Sequence, residues 1–288
     1  MPAWNEYGAL KTVAVRSPAF AYGSDERIKF QWQALRFKAP PDLAEALKEH
    51  RLFVGKLHAA GAKTIFLPGD DALTLDSIYP RDAGLVTPKG LILCRMGRTT
   101  RRGEPAVNAG FLKEKGYEIL GKIEAPGTLE GGDFIWLDEA AAAVGLGPRT
   151  NEAGIEQLKK LLGPGVELQV VPLPPPDHPE DVFHLMSIIS PLDKDLAIVC
   201  QALTPQTFAE WLGAKGIEFV DVPEAKFDQM ACNVLALGPR HVLMPEGLAE
   251  TKKRLKSAGC KVETYKGAEI SLKGDGGPTC LTRPLIRE

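Results

Sequence analysis

At 288 residues, with 44% hydrophobic and 25% charged side chains, the chain holds enough apolar material for a sizeable core. Its formal net charge of -2, with no basic stripe interleaved with aromatics, excludes a nucleic-acid binder. No apolar run reaches the roughly 18 residues that a membrane span needs.

The N-terminus, MPAWNEYGAL, has neither the basic nor the apolar region of a secretory leader. Five scattered cysteines, Cys94, Cys200, Cys232, Cys260 and Cys280, form no Cys-x-x-Cys pair. That argues against a disulfide framework or a structural zinc site and for a reducing cytoplasm.

In chain order, a short strand Thr12-Val13-Ala14-Val15 comes first. Residues 20–45 follow and fit no repeat; they read as an insertion or lid over one face. A helical stretch ending in glycine and running into an apolar strand then recurs five times, with glycines at Gly61, Gly116, Gly165, Gly216 and Gly259. They lie roughly 45 to 55 residues apart, each placed to end a helix in the left-handed region. Between the helices lie strand–turn–strand candidates at 83–94, 134–147, 185–200 and 233–245, turning at Pro88-Lys89-Gly90, Asp193-Lys194 and Gly238-Pro239. No fifth hairpin lies between these units, but the ends supply one if Thr279-Cys280-Leu281-Thr282 pairs with the Thr12–Val15 strand. The chain then reads as a single domain, 1–288, of five hairpin–helix–strand modules. An ordinary α/β sheet also repeats helix–Gly–strand, and stands as the alternative.

Chemistry enters with what precedes each hairpin: Asp82, Glu130, His184 and Asn233 in turn, with Cys280 in the fifth strand. Equivalent positions around a pseudo-symmetry axis converge, so residues distant in sequence share one pocket. A thiolate is a strong nucleophile, yet a free cysteine is mostly protonated at neutral pH. A bound cation such as a guanidinium would favour the thiolate. His184 can give a proton to a leaving amine and take one from water. Glu130 can orient that imidazole, and Asp82 can hold a guanidinium by paired hydrogen bonds. Each residue alone has a plainer reading: a buried small hydrophobe for Cys280, a core histidine for His184, turn carboxylates for Glu130 and Asp82. Their phase with the repeat carries the functional one.

The motifs Leu129-Glu130-Gly131-Gly132-Asp133, Phe183-His184-Leu185 and Gly276-Gly277-Pro278-Thr279-Cys280 resemble the guanidine-modifying (amidinotransferase) superfamily. That group includes arginine deiminases, dimethylarginine dimethylaminohydrolases and amidinotransferases. The resemblance implies a five-bladed α/β propeller, with Cys280 as nucleophile, His184 as general acid/base and Glu130 as its carboxylate partner. It also implies substrate contacts at Asp82, Asp76, Arg149 and Arg101, the two arginines for an α-carboxylate. A surface charge is the plainer reading of Arg101. Asp275, in Gly274-Asp275-Gly276-Gly277, and Asn233 are further substrate-contact candidates.

His184-Leu185-Met186-Ser187 is similar to the dimethylarginine branch, since deiminases and amidinotransferases carry an Asp where Met186 stands. Arg81, before Asp82, is instead the deiminase residue. The expected reaction is hydrolysis of an Nω-methylated arginine to citrulline and an alkylamine, with neither metal nor organic cofactor. An arginine deiminase, an amidinotransferase, an arginine-binding protein and a structural propeller are the alternatives. The expected partner is a small arginine-like molecule, and a homodimer is expected from the general frequency of such symmetry.

Overall fold

The computed structural model describes residues 5–175, 178 and 183–288, with the backbone alone at 224–226. The N-terminal decapeptide read for a leader lies partly outside these residues.

The chain opens with β1 (Leu10–Val15), α1 (Pro18–Ala21), α2 (Asp25–Gln31), α3 (Leu43–Ala59) and β2 (Lys63–Phe66). The next unit is β3 (Gly84–Thr87), β4 (Gly90–Leu93), α4 (Glu104–Glu114) and β5 (Ile119–Lys122). Then come β6 (Phe134–Trp136), β7 (Ala141–Leu146), α5 (Glu152–Leu162) and β8 (Glu167–Pro172). A one-turn helix, α6 (Leu185–Ile188), leads into β9 (Ile189–Asp193), β10 (Leu196–Val199), α7 (Gln206–Ala214) and β11 (Glu218–Asp221). The chain closes with β12 (Leu235–Gly238), β13 (His241–Pro245), α8 (Ala249–Ser257), β14 (Lys261–Tyr265) and β15 (Arg283–Arg287).

Among the described residues these strands form five three-stranded sheets, in the orders β3-β4-β5, β6-β7-β8, β11-β10-β9, β12-β13-β14 and β15-β1-β2. Each is an antiparallel hairpin whose second strand pairs in parallel with a third, reached through a helix. The termini build the fifth sheet: Val13 faces Pro284 in the β1–β15 pair, and β1 runs parallel to β2. Burial grades across every sheet. The hairpin-opening strands β6 and β12 are buried throughout, whereas the third strands β2 and β5 are half exposed. The opening strands thus face inward, and β9 and β12 of adjacent sheets touch.

Local chemistry explains the helices. In α5, Asn151 accepts from the Gly154 N–H at 2.9 Å as an N-cap. Ile155, Leu158 and Leu162 bury one face at helical spacing, and Gly163 ends the helix at φ 83°. Gly61, Gly116, Gly216 and Gly259 end theirs in the same left-handed region. In the third module the ending glycine is therefore Gly163 and not Gly165. Pro164 cannot continue the helix, so the stop comes one residue before it.

The sequence reading needs two further corrections. Residues Thr279–Thr282 form no strand. Thr282 Oγ1 donates to the Pro278 carbonyl at 2.9 Å and the Leu281 N–H to the Gly277 carbonyl at 3.0 Å, so they coil as a turn and β15 starts at Arg283. That change restores the pattern, because Cys280 now precedes its hairpin as Asp82, Glu130 and Asn233 precede theirs. Residues 185–188 are helical before β9 begins. Residues 20–45 comprise α2, parts of α1 and α3, and a turn; the segment packs on the C-terminal loop, Tyr22 donating to the Glu269 carbonyl at 3.1 Å and the Lys38 N–H to the Lys273 carbonyl at 2.7 Å.

Candidate active site

A cavity of about 650 Å³ opens beside the turns that precede the hairpins. Its wall includes Cys280, His184, Asn233, Met186, Gly132, Arg98 and Asp275, with Leu35, Arg36 and Lys38 from the 20–45 segment.

Cys280 lies half-buried in the turn after Gly276-Gly277. These glycines are required by close approach. A Cβ on Gly276 would strike the Tyr79 ring, and one on Gly277 would strike Asn233. Asn233 Nδ2 donates to Cys280 Sγ at 3.3 Å, and its Oδ1 accepts from the Thr279 N–H at 3.0 Å and hydroxyl at 2.8 Å. The amide is thus fixed, with its N–H pointed at sulfur. Burial and the Asp82 charge push the thiol up, outweighing Asn233, Thr279 and Arg81. Without a bound cation Cys280 is a thiol.

His184 caps α6: its own N–H donates to Ser187 Oγ at 3.1 Å. Its Nε2 lies 2.8 Å from Glu130 Oε2, and its Nδ1 lies 3.9 Å from Asp82 Oδ1. Burial disfavours its charge, but Asp133, Asp82 and Glu130 overcome that and raise it to about 9. Burial likewise opposes charge on Glu130, yet His184, Arg149 and Arg101 hold it well below the usual carboxylate range. Both Glu130 oxygens are engaged, Oε2 by His184 and Oε1 by the Arg98 N–H at 2.9 Å, with Arg149 Nη1 at 3.6 Å. Glu130 therefore orients the imidazole, with a partner already on each oxygen.

Asp82 is also half committed. Its Oδ2 accepts from Arg101 Nη1 at 2.6 Å, while among the described residues no donor bonds the buried Oδ1. Oδ1 is thus the oxygen of Asp82 most open to a guanidinium. Arg101 is no surface charge: it is buried, and also binds Glu104 at 2.7 Å and the Tyr79 carbonyl at 2.9 Å. Asp76 is joined to Arg98 Nη1 at 3.0 Å. Asp275 sits at the cavity mouth at φ 56°, paired with Lys38 Nζ at 2.5 Å. Cys280, His184, Asn233 and Asp275 thus line the cavity, while Asp82, Glu130, Asp76, Arg101 and Arg149 form the charged layer beside it.

Sequence reasoning passed over two functional neighbours. Asp133 accepts from the Leu185 N–H at 3.0 Å and the Thr150 hydroxyl at 2.6 Å, tying the helix that carries His184 to the Glu130 turn. Its carboxyl is raised to about 6, burial opposing its charge more than His184 and Thr150 favour it. The signal lay in the second acid of Glu130-Gly-Gly-Asp133. Arg98 lines the cavity, and its neighbour Arg101 drew the assignment because both sit in one basic run. Asp82, Glu130 and His184 present ligand atoms within 4.8 Å of one another. Both carboxylates already face a guanidinium, Asp82 that of Arg101 at 2.6 Å and Glu130 that of Arg149 at 3.6 Å.

Five hairpin–helix–strand modules with a thiol and a carboxylate-held imidazole on one cavity wall define a guanidine-modifying α/β enzyme, a hydrolase of C–N bonds in linear amidines. Residues 26–287 match the family described as N,N dimethylarginine dimethylhydrolase, eukaryotic, and the chain belongs to that family. It is similar to the N(G),N(G)-dimethylarginine dimethylaminohydrolase of Pseudomonas aeruginosa, 28% identical over 243 residues that cover 84% of this chain and 89% of that one. An arginine deiminase of Listeria monocytogenes is 26% identical over 251 residues, 73% of this chain and 61% of the relative. In fold, the N-terminal domain of a cyanobacterial arginine dihydrolase superposes with a TM-score of 0.81 at 18% identity, covering 96% of this chain and 97% of that domain. Among the described residues, no helix is long and apolar enough to cross a membrane.

Proposed function

We propose that the protein converts an Nω-methylated arginine to citrulline and an alkylamine, its five modules closing into a propeller that acts as one catalytic domain. One observation carries the chemistry: Cys280 and His184 line the same cavity, with the imidazole locked on Glu130 and a donor aimed at the sulfur. The bound guanidinium lies against Asp82 Oδ1 and lowers the thiol's cost of ionisation. The Cys280 thiolate attacks the guanidinium carbon, a C–S bond forms, and the C–N bond to the substituted nitrogen breaks. His184 gives its proton to the departing amine. The resulting S-alkylthiouronium is attacked by water that His184 deprotonates; the C–S bond breaks and citrulline leaves.

The methylated substrate is supported by Met186, 2% exposed on the cavity wall. Its thioether accepts hydrogen bonds weakly and suits a nitrogen bearing methyl groups instead of N–H. Arg81, the deiminase-like residue, does not weigh against this, because its side chain binds Glu6 and Thr279 and does not line the cavity.

The test is an assay for citrulline and released amine from asymmetric dimethylarginine, monomethylarginine and arginine. We expect citrulline with dimethylamine or methylamine, an adduct mass on Cys280, and a loss of at least about a hundredfold in Cys280→Ser. Turnover of arginine alone would replace the methylarginine reading by a deiminase, and full turnover by Cys280→Ser would remove the covalent mechanism.

A further inference from the structure

Beneath the cavity, the dipeptide Arg81-Asp82 joins the parts of the site that must act together. Arg81 is fully buried. Its N–H donates to the Cys280 carbonyl at 3.3 Å and its Nε to the Thr279 carbonyl at 3.0 Å, so two bonds grip the nucleophile turn. Its Nη1 reaches both carboxylate oxygens of Glu6, at 3.2 and 3.0 Å. On the other side, the Asp82 carbonyl accepts from the Gly131 N–H at 2.8 Å, which fixes the turn that carries Glu130. The fit is close: a Cβ on Gly131 would collide with the Arg81 carbonyl.

We propose that Arg81, anchored by the buried Glu6, is a positioning residue that sets the Cys280 sulfur against the Asp82 carboxylate. The proposal rests on Cys280 being the nucleophile. Only a planar fork can hold the Thr279 carbonyl and the Glu6 carboxylate together; a lysine ammonium, as a point charge, can satisfy one of them. Glu6 also shields part of the Arg81 charge from the sulfur. The charged or titratable groups about the thiol include Asp82, Arg81, Tyr79 and Tyr265, with His184 and Asp275 on the same cavity wall; Asn233 Nδ2 donates to the sulfur, and the Thr279 hydroxyl lies 3.8 Å from it. Substituting the two partners should therefore move thiol ionisation in opposite directions, which a loosened fold would not do.

The experiment measures iodoacetamide alkylation of Cys280 against pH by peptide mass, alongside kcat and KM, in Glu6→Gln, Arg81→Lys and Arg81→Met. The other four cysteines are buried and leave the readout clean. We expect the alkylation midpoint to fall by about half a pH unit in Glu6→Gln and to rise by about as much in Arg81→Met. Arg81→Lys should keep the native midpoint, yet share with Arg81→Met a loss of about tenfold or more in kcat, with KM changed less than about threefold. If Arg81→Met fails to fold, Glu6→Gln and Arg81→Lys decide the matter. Midpoints that move together, or stay put while kcat is unchanged, overturn the proposal. Full turnover by Cys280→Ser would overturn the nucleophile assignment instead, and the alkylation midpoints would still report on the Arg81 contacts.

Discussion

Of the two reacting side chains, only His184 rests in the protonation state that the attack requires. Burial and Asp82 keep Cys280 protonated, while Asp133, Asp82 and Glu130 keep His184 protonated up to about 9. The productive pair, thiolate with imidazolium, is thus a minority in the free enzyme at neutral pH. Raising the pH populates the thiolate; raising it through about 9 removes the proton from His184. The profile of kcat/KM should accordingly be a bell with its maximum on the alkaline side. A bound guanidinium favours the thiolate, so the rising limb of kcat should lie at lower pH than that of kcat/KM. Steady-state kinetics from pH 6 to about 10.5 provide the check, and a maximum below neutrality would contradict this assignment of charge.

At this scale the sequence revealed residue types in phase and little of their pairing. His184 and Glu130 were read from their place before a hairpin, and Cys280 from a strand of the fifth that the structure replaces by a turn. The partners of Asp82 and Glu130 were not legible, since two arginines three residues apart in one basic run are both buried and pair with different acids. Arg101 and Arg98 illustrate this: one closes on Asp82 and the other lines the cavity.

Among the elements, the Gly131-Gly132 turn controls how near the imidazole can come to the carboxylates. A Cβ on Gly132 would lie 2.6 Å from His184 Nδ1 and 2.7 Å from Asp82 Oδ1. Gly132→Ala should therefore push the ring from Asp82, lowering kcat by about tenfold or more and costing about 1–3 kcal/mol of stability from overpacking. Kinetics and thermal melts would show it; an alanine variant with native kcat would mean the ring can swing without penalty. Helices and hairpins were readable from glycine stops and apolar runs. Their ends were less so. Gly163 and Gly165 both flank Pro164, and only the Gly163 N–H bond to the Lys159 carbonyl decides between them. Residues 279–282 carry β-favouring threonines, yet Thr282 turns its hydroxyl back onto Pro278 and delays β15.

The molecule as a whole divides its apolar interior among separate clusters, most of them lying between neighbouring units. One joins β1, α3, β12 and β13; another joins β6, β7, β9, β10 and α7. The division follows from the repeat, because each unit has one hairpin and one helix and can bury its faces only against the next. The 20–45 segment, read from the sequence as an insertion or lid, obeys no period; its Leu35, Arg36 and Lys38 line the cavity, and Lys38 pairs with Asp275.

That division has a consequence for how the enzyme fails. Asp82, Glu130, His184, Asn233 and Cys280 each enter a different sheet, so a small slip at any one seam misaligns the reacting atoms while most hydrogen-bonded strands survive. In a urea titration, turnover should disappear before the far-ultraviolet circular dichroism changes, and saturating product should draw the two midpoints together by holding the seams shut. Coincident midpoints without ligand would show instead that the five sheets melt as one cooperative block.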